Sequence, residues 1–279
     1  MKIDKVRLSD DMSNYKESIY FTSRISRYML ENLMKNGVEK HHLPSHITTK
    51  QGLIEHLKSQ GFENAQDLVN NAISYAFDKK YFNYYAAEKD VHEYSDEWIS
   101  DFQLILKKLD VFDKLNELDI LNVGCNDASQ MEKMIGNNFK NLYLVDVGLR
   151  SLLVAKEIFP KAIIMNTSAE SLYELPDNSI DLYLSFRTFN SRLFDIKSAV
   201  AELDRVLRYE GIVVLSIPNG YVDSDGNFSY GLKPPSEDSI DAEYPFKIVG
   251  EIMYNLSKCT FKYIGLVNSF YEIYIYAIR

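Results

Sequence analysis

The sequence predicts an α/β protein, in which a helical region of about 115 residues precedes an open, mostly parallel sheet with helices between its strands. Three observations point there. From Asp119 onward, short apolar runs alternate with helical patterns, the signature of a parallel sheet. Before that point, apolar residues recur at helical spacing. At 279 residues, 46% hydrophobic and 25% charged, the chain is long enough for a full core with a cap above it.

Ile19, Phe21, Ile25, Tyr28, Met29 and Leu33 mark a first helix that Gly37 stops. A second helix follows Thr49, with Leu53, Ile54 and Leu57 inward and Gly61 at its end. The stretch 64-NAQDLVNNAISYAF-77 gives a third, and a fourth lies near residues 96–112, where Trp98, Phe102, Leu104, Ile105 and Leu109 form one stripe. Residues 1–115 thus read as a helical cap and residues 116–279 as a second region. Strands follow at 120-ILNVG-124, 142-LYLVD-146, 162-AIIM-165, 180-IDLYLSF-186 and 212-IVVLSI-217, with helical patterns near 129–136, 151–159 and 196–207 between them. Parallel neighbours joined this way need right-handed crossovers. Pro218 opens a turn-rich stretch, 219–239. A helix near 246–258 and two closing strands, 260–267 and 271–279, complete the chain; the last alternates, as a half-buried antiparallel strand does.

The formal net charge is −9, and no Lys/Arg run forms a phosphate-tracking stripe, so a duplex or long RNA meets a repulsive field and nucleic acid is not an expected partner. Two cysteines, Cys125 and Cys259, cannot build a disulfide framework; they read as reduced thiols of a cytoplasmic protein. The start, MKIDKVRLSDD, lacks the apolar core of a signal peptide, and no window approaches 18 uninterrupted apolar residues, so no membrane span is expected.

The chemistry concentrates at 119-DILNVGCNDAS-129. In an open α/β sheet the ligand lies beyond the carboxyl ends of the strands, beside the turn after the first one. A dinucleotide site places G-x-G-x-x-G there; this chain has Gly124, Asn126 and Ser129, and Asp127 would repel a pyrophosphate. A nicotinamide oxidoreductase is therefore disfavoured. Asp146 ends the second strand, 22 residues after Gly124, where a carboxylate can accept bonds from both ribose hydroxyls. A ribose site without a pyrophosphate cradle suits S-adenosylmethionine, whose cationic sulfonium tolerates nearby carboxylates.

With these residues in view, residues from about 119 to 279 resemble a class I S-adenosylmethionine-dependent methyltransferase of the small-molecule type. LNVGCNDA, Leu121 to Ala128, is similar to the family's L-D-V-G-C-G-T-G, and LVDVG supplies the second-strand acid as Asp146. The segment 168-SAESLYELPDNSID-181 resembles D-A-E-x-L-P-F-x-D-x-S-F-D, and 202-ELDRVLRYEG-211 resembles E-x-x-R-V-L-K-P-G-G. The chain departs at Asn122, where the family carries an acid, at Asn126 and Ala128, where it carries glycines, at Ser168, and at Tyr209 and Glu210 in place of Pro-Gly. Asn126 can adopt a left-handed conformation, Ala128 is small, and Asn122 can bond the turn. The resemblance implies a Rossmann-like seven-stranded sheet of order 3-2-1-4-5-7-6 with its last strand antiparallel. It also implies a donor site that includes Asn122 and Asn126 in the turn, in which Gly124 and Cys125 lie against the amino-acid part, Asp146 holds the ribose and Val147 packs on the adenine. Ser168, Ala169 and Glu170 would line the adenine edge, with Ser185, Phe186 and Arg187 beneath the sulfonium. The implied cofactor is S-adenosylmethionine, leaving as S-adenosylhomocysteine, with no metal. Glu170 and Asp181 can equally be capping or surface acids.

Methyl transfer from a sulfonium is an in-line displacement that needs alignment and water exclusion more than a dedicated base. No catalytic residue is assigned. The substrate-side candidates are Arg187, which follows the fourth strand and could clamp an anionic or carbonyl-bearing acceptor, with Asn190, Tyr20 and Tyr221. The cap adds 20-YFTSR-24, 41-HHLPSH-46 and 81-YFNYYAAE-88. His41, His42 and His46 read as solvated loop histidines, and most of the 20 tyrosines and 15 phenylalanines as packing. The expected activity is methylation of an oxygen or nitrogen of a small molecule or short peptide, in natural-product tailoring. The alternative is a catalytically inert methyltransferase-like protein with a binding or regulatory role.

Overall fold

The computed structural model describes residues 23–39, 42, 50–80, 96–190, 195–223, 228–230, 239–241 and 244–279. Tyr20, His41, His46 and the segment 81–88 lie outside the described residues, and Tyr221 is described by its backbone alone.

Three helices form the described part of the cap: α1 (Ser23–Lys35), α2 (Lys50–Ser59) and α3 (Ala65–Lys80). Gly37 and Gly61 follow α1 and α2 with φ of 87° and 91°, the left-handed geometry that lets the chain leave a helix without a Cβ penalty. Their inward faces meet in one cluster, Leu33, Val38, Ile54, Leu57, Val69, Ala72 and Ile73. A fourth helix, α4 (Asp96–Lys108), packs instead on the sheet: Trp98, Phe102, Ile105 and Leu106 are buried against Leu182, Leu184, Val214 and Tyr274. Burying a large apolar side chain of this kind stabilises by about 1.5–3 kcal/mol.

The strands are β1 (Asp119–Val123), β2 (Asn141–Asp146), β3 (Ile163–Asn166), β4 (Ile180–Phe186), β5 (Leu207–Pro218), β6 (Gly220–Asp223), β7 (Phe228–Tyr230), β8 (Ser239–Asp241), β9 (Tyr263–Asn268) and β10 (Glu272–Ile278). Seven of them form a sheet of order β3-β2-β1-β4-β5-β10-β9. Pairing is parallel from β3 to β5, and β10 runs antiparallel to both neighbours. This is the 3-2-1-4-5-7-6 order, with β10 and β9 as the seventh and sixth strands. Side chains alternate between the two faces along each strand. One face carries α4, α5 (Ser129–Ile135) and α6 (Leu149–Ile158); the other carries α7 (Ile196–Val206) and α8 (Tyr244–Leu256).

Two elements differ from the sequence reading. The turn-rich stretch 219–239 contains a small antiparallel sheet, β7-β6-β8, because its Gly, Asp and Ser residues punctuate short strands. Strand β5 begins at Leu207, five residues before the apolar run at Ile212, and the pairing with β4 shifts register there, around Glu210 with φ 64°.

At the amino ends of the strands, Asp181 accepts from Asp119 N (2.8 Å) and from Arg208, a structural role far from the turn. On α7, Arg205 bonds Glu202 and the carbonyls of Leu172 and Leu175, while Glu202 accepts from Leu172 N (2.7 Å). The hydrogen bond from Arg205 holds the Glu202 carboxyl below its usual range. The stability this gives is therefore present above pH 4.5 and lost as pH falls through the lowered value. Glu202→Gln should flatten that part of the acid-unfolding profile, measured by urea titrations between about pH 3 and 5; an unchanged profile would remove Glu202 from the account.

Candidate functional site

The turn after β1 is built from backbone in unusual conformations. Gly124, Asn126 and Ala128 all have positive φ, 71°, 52° and 56°. Gly124 and Cys125 donate to Val145 O (2.8 and 3.1 Å), pinning the turn to the end of β2. Thr188 explains why position 124 is glycine: a Cβ there would stand 2.0 Å from its Oγ1. Asparagine and alanine thus supply, at 126 and 128, the left-handed geometry for which the family pattern carries glycine. Asp127 accepts from Ser129 N (3.1 Å) and Oγ (2.8 Å) at the start of α5. Cys125 is buried and its thiol is pushed well up, first by burial and then by Asp146, so it stays protonated and is no nucleophile.

Asp146 is buried beneath this turn, its carboxylate accepting from Asn126 N (2.9 Å) and Gly148 N (2.8 Å). The acid therefore ties the β1 and β2 loops together, and Asn166 Nδ2 bonds its backbone carbonyl (3.0 Å). Asn122 is buried in β1, and its Oδ1 meets no protein donor among the described residues. Ser168 Oγ donates to Glu170 (3.1 Å), Ala169 is part of the core, and Glu170 also accepts from Asp195 N (2.6 Å) and pairs with Lys50. Val147 packs into the cap cluster, beside Phe77.

At the tip of β4, Ser185 Oγ donates to Val123 O (2.9 Å), locking β4 to β1. Phe186 meets Trp98 and Phe102 of α4 edge to face, with centroids 5.6 and 4.8 Å apart. Arg187 differs from the exposed clamp that its position suggests. It has φ 50°, and its guanidinium pairs with Glu272, which is fully buried at the start of β10. Burial raises the Glu272 carboxyl above its usual range, against the opposing pull of Arg187. Asn190 is buried near the same edge. Among the other substrate-side candidates, Tyr20 lies outside the described residues, and Tyr221 sits in β6 at the end of β5. His42 packs edge to face on Phe62 (5.2 Å).

The sheet thus brings Asn122, Gly124, Cys125, Asn126, Asp146, Ser185 and Phe186 to its carboxyl edge, at the ends of β1, β2 and β4 and in the turn after β1. Lys50, Phe77, Thr188 and Glu272 join them without having been singled out in the sequence. Of these only Glu272 had a signal, as the one acid inside the apolar run YEIYIYAI; the others depend on long-range contacts.

An orphaned amide oxygen, a backbone bend rich in left-handed residues and two carboxylates, Asp127 and Asp146, are a donor set suited to hydroxyl and cationic groups. They suit a pyrophosphate poorly.

Residues 121–215 match the family model described as a methyltransferase domain. A relative from Mycobacterium tuberculosis, named "Probable S-adenosylmethionine-dependent methyltransferase", is 26% identical over 137 residues, which is 49% of this chain and 47% of that protein. The chain therefore spans about half the length of the curated relatives it matches. Among solved structures, a SAM-dependent methyltransferase from Aquifex aeolicus is 19% identical, covering 67% of this chain and 99% of that one at a TM-score of 0.44. The N-methyltransferase NodS of Bradyrhizobium japonicum, crystallised with S-adenosyl-L-homocysteine, is 14% identical over 74% of this chain and 97% of its own, with a TM-score of 0.48. The strand order is the one the family resemblance implies, and residues 121–215 match a methyltransferase domain.

Proposed function

We propose that the protein binds S-adenosylmethionine at the carboxyl edge of the sheet and methylates an oxygen or nitrogen of a small molecule or short peptide. The observation that carries this reading is the convergence of Asp146, the Gly124–Ala128 bend and the Asn122 amide oxygen, which meets no donor among the described residues, at one strand edge within a methyltransferase domain. Asp146, Asn122 and the backbone of the bend would hold the donor, and the 168–170 loop would border it. When bound, the donor supplies an activated methyl group whose bond to sulfur breaks as the bond to the acceptor forms, the electron pair returning to sulfur. The residues of this chain bind, orient and exclude water: Phe186, Trp98 and Phe102 make the wall at the β4 tip apolar. A dedicated base is optional: an amine acceptor can lose its proton to solvent, whereas a phenol or acid would draw on a nearby His or Tyr.

A second reading, an inert binding or regulatory protein, draws on one observation. Both oxygens of Asp146 already accept from backbone N–H groups, so the acid has a structural role independent of any ligand. Titration calorimetry with S-adenosylmethionine and S-adenosylhomocysteine separates the readings. The methyltransferase reading expects both to bind and Asp146→Ala to weaken them by at least about tenfold, the loss of one or two hydrogen bonds to a charged group. Absence of binding to either compound in the wild-type protein contradicts it.

A further inference from the structure

The cap touches the core on one side of this edge. Asp78 of α3 accepts from Arg150 N (3.1 Å) at the start of α6, and Phe77 Cβ lies 3.5 Å from where a Cβ on Gly148 would stand. Lys50, the first residue of α2, crosses to the 168–170 loop, where its ammonium pairs with Glu170; both side chains are largely buried. One Glu170 oxygen accepts from Lys50 and Ser168, and the other accepts from Asp195 N at the start of α7. All these contacts fall on the loops after β2 and β3, while α4 packs on Phe186 at the β4 tip.

A buried ion pair adds little net stability, because desolvation offsets most of the attraction; its effect is to select one arrangement of the groups it joins. We propose that Lys50 is a positioning residue for the donor: acting through Glu170, it holds the 168–170 loop in its binding arrangement, so that docking of α2 and affinity for the adenosyl compound are one coupled equilibrium. This rests on the donor-binding reading above. Ser168 and Glu170 can hold each other without the cap, but Lys50 supplies the only cationic partner of Glu170 among the described residues. Without it, a carboxylate facing a mostly buried loop would draw in water and shift. By linkage, whatever α2 docking adds to donor affinity the donor adds to α2 docking.

The test uses the full chain and S-adenosylhomocysteine as the probe. Lys50→Met should weaken its binding by about tenfold, within the range of typical site-to-site coupling. Lys50→Arg should stay near wild type, and Lys50→Met with Glu170→Gln should be no weaker than the worse single variant. In the wild type, saturation with the compound should slow amide exchange in residues 51–59, and in Lys50→Met it should not. A purely structural ion pair would lower thermal stability in Lys50→Met while leaving the affinity and the ligand-dependent exchange unchanged, and that result overturns the proposal. Strict additivity of the two substitutions overturns it as well. Should a variant fail to fold, the exchange measurement on the wild type decides: protection absent from residues 51–59 in a ligand-bound protein is negative. A wild type that binds no S-adenosylhomocysteine refutes the function itself, a different outcome from a wild type that binds it and is indifferent to Lys50.

Discussion

Arg187→Ala should lower the unfolding free energy by about 3–5 kcal/mol, because it strands a carboxylate in the interior. Glu272 is fully buried, and its Oε2 meets no protein donor among the described residues, so the guanidinium is its principal compensation. The size of the loss should depend on pH. The folded-state value of Glu272 lies above the ordinary 4.5, so protonation favours the folded form. That contribution is fully present below 4.5 and is lost as pH rises through the raised value. Removing the arginine raises the value further, and the variant should therefore be closest to wild type in mild acid and furthest from it at neutral pH. Replacing both members with apolar residues, Arg187→Met with Glu272→Leu, should recover most of the loss, since well-packed apolar pairs replace buried ion pairs at little cost. Urea denaturation of the wild type and the two variants at pH 5 and pH 7.5 measures all of this. A neutral Arg187→Ala at both values would mean that Glu272 is compensated by something else.

Gly124→Ala should be nearly as damaging, by a different route. Alanine at φ 71° costs about 1–2 kcal/mol in backbone strain, and its Cβ would stand 2.0, 2.5 and 2.7 Å from Thr188 Oγ1, Cγ2 and Cβ. The clash involves the root of the Thr188 side chain, so a rotamer change cannot relieve it. The bend or the β4 tip must move, and together the two effects should reach about 2–4 kcal/mol with loss of donor affinity. Thr188→Gly in the same chain should remove the steric part and leave the strain. Calorimetry and chemical denaturation of the single and double variants separate the two contributions. Full recovery in the double variant would show that the backbone conformation is costless here.

The strands were readable because their signals are local, whereas their order came from the family resemblance. LYLVD and IDLYLSF are short, mostly apolar runs of the kind that strands buried on both faces carry, and YEIYIYAI alternates as an antiparallel strand does. The bend was readable from Gly124, and Asp146 from its position at the end of β2. What each residue does there was less legible. Asp146 looked like a ligand group and proves also to be the brace that joins two loops through Asn126 and Gly148. Gly124 looked like room for a ligand, and Thr188 claims part of that room. Arg187 suggested a clamp for an acceptor because its partner lies 85 positions away in the chain, and Lys50 drew no reading at all because its partner lies 120 away. Pairings over such distances leave no periodicity or spacing in a single sequence. The small sheet after Pro218 escaped notice because strands of three or four residues between turn residues carry too few positions to show alternation.

The central claim is that the bend around residue 124 and the carboxylate of Asp146 together form the donor site. A crystal structure of the protein grown with S-adenosylhomocysteine tests it most directly. The account predicts that the compound's ribose hydroxyls sit on Asp146, its amino-acid end on the 124–126 backbone and Asn122, and its sulfur at the β4 tip beside Phe186. Density for the compound at any other place, with Asp146 still holding Asn126 and Gly148 and touching no part of it, would contradict it.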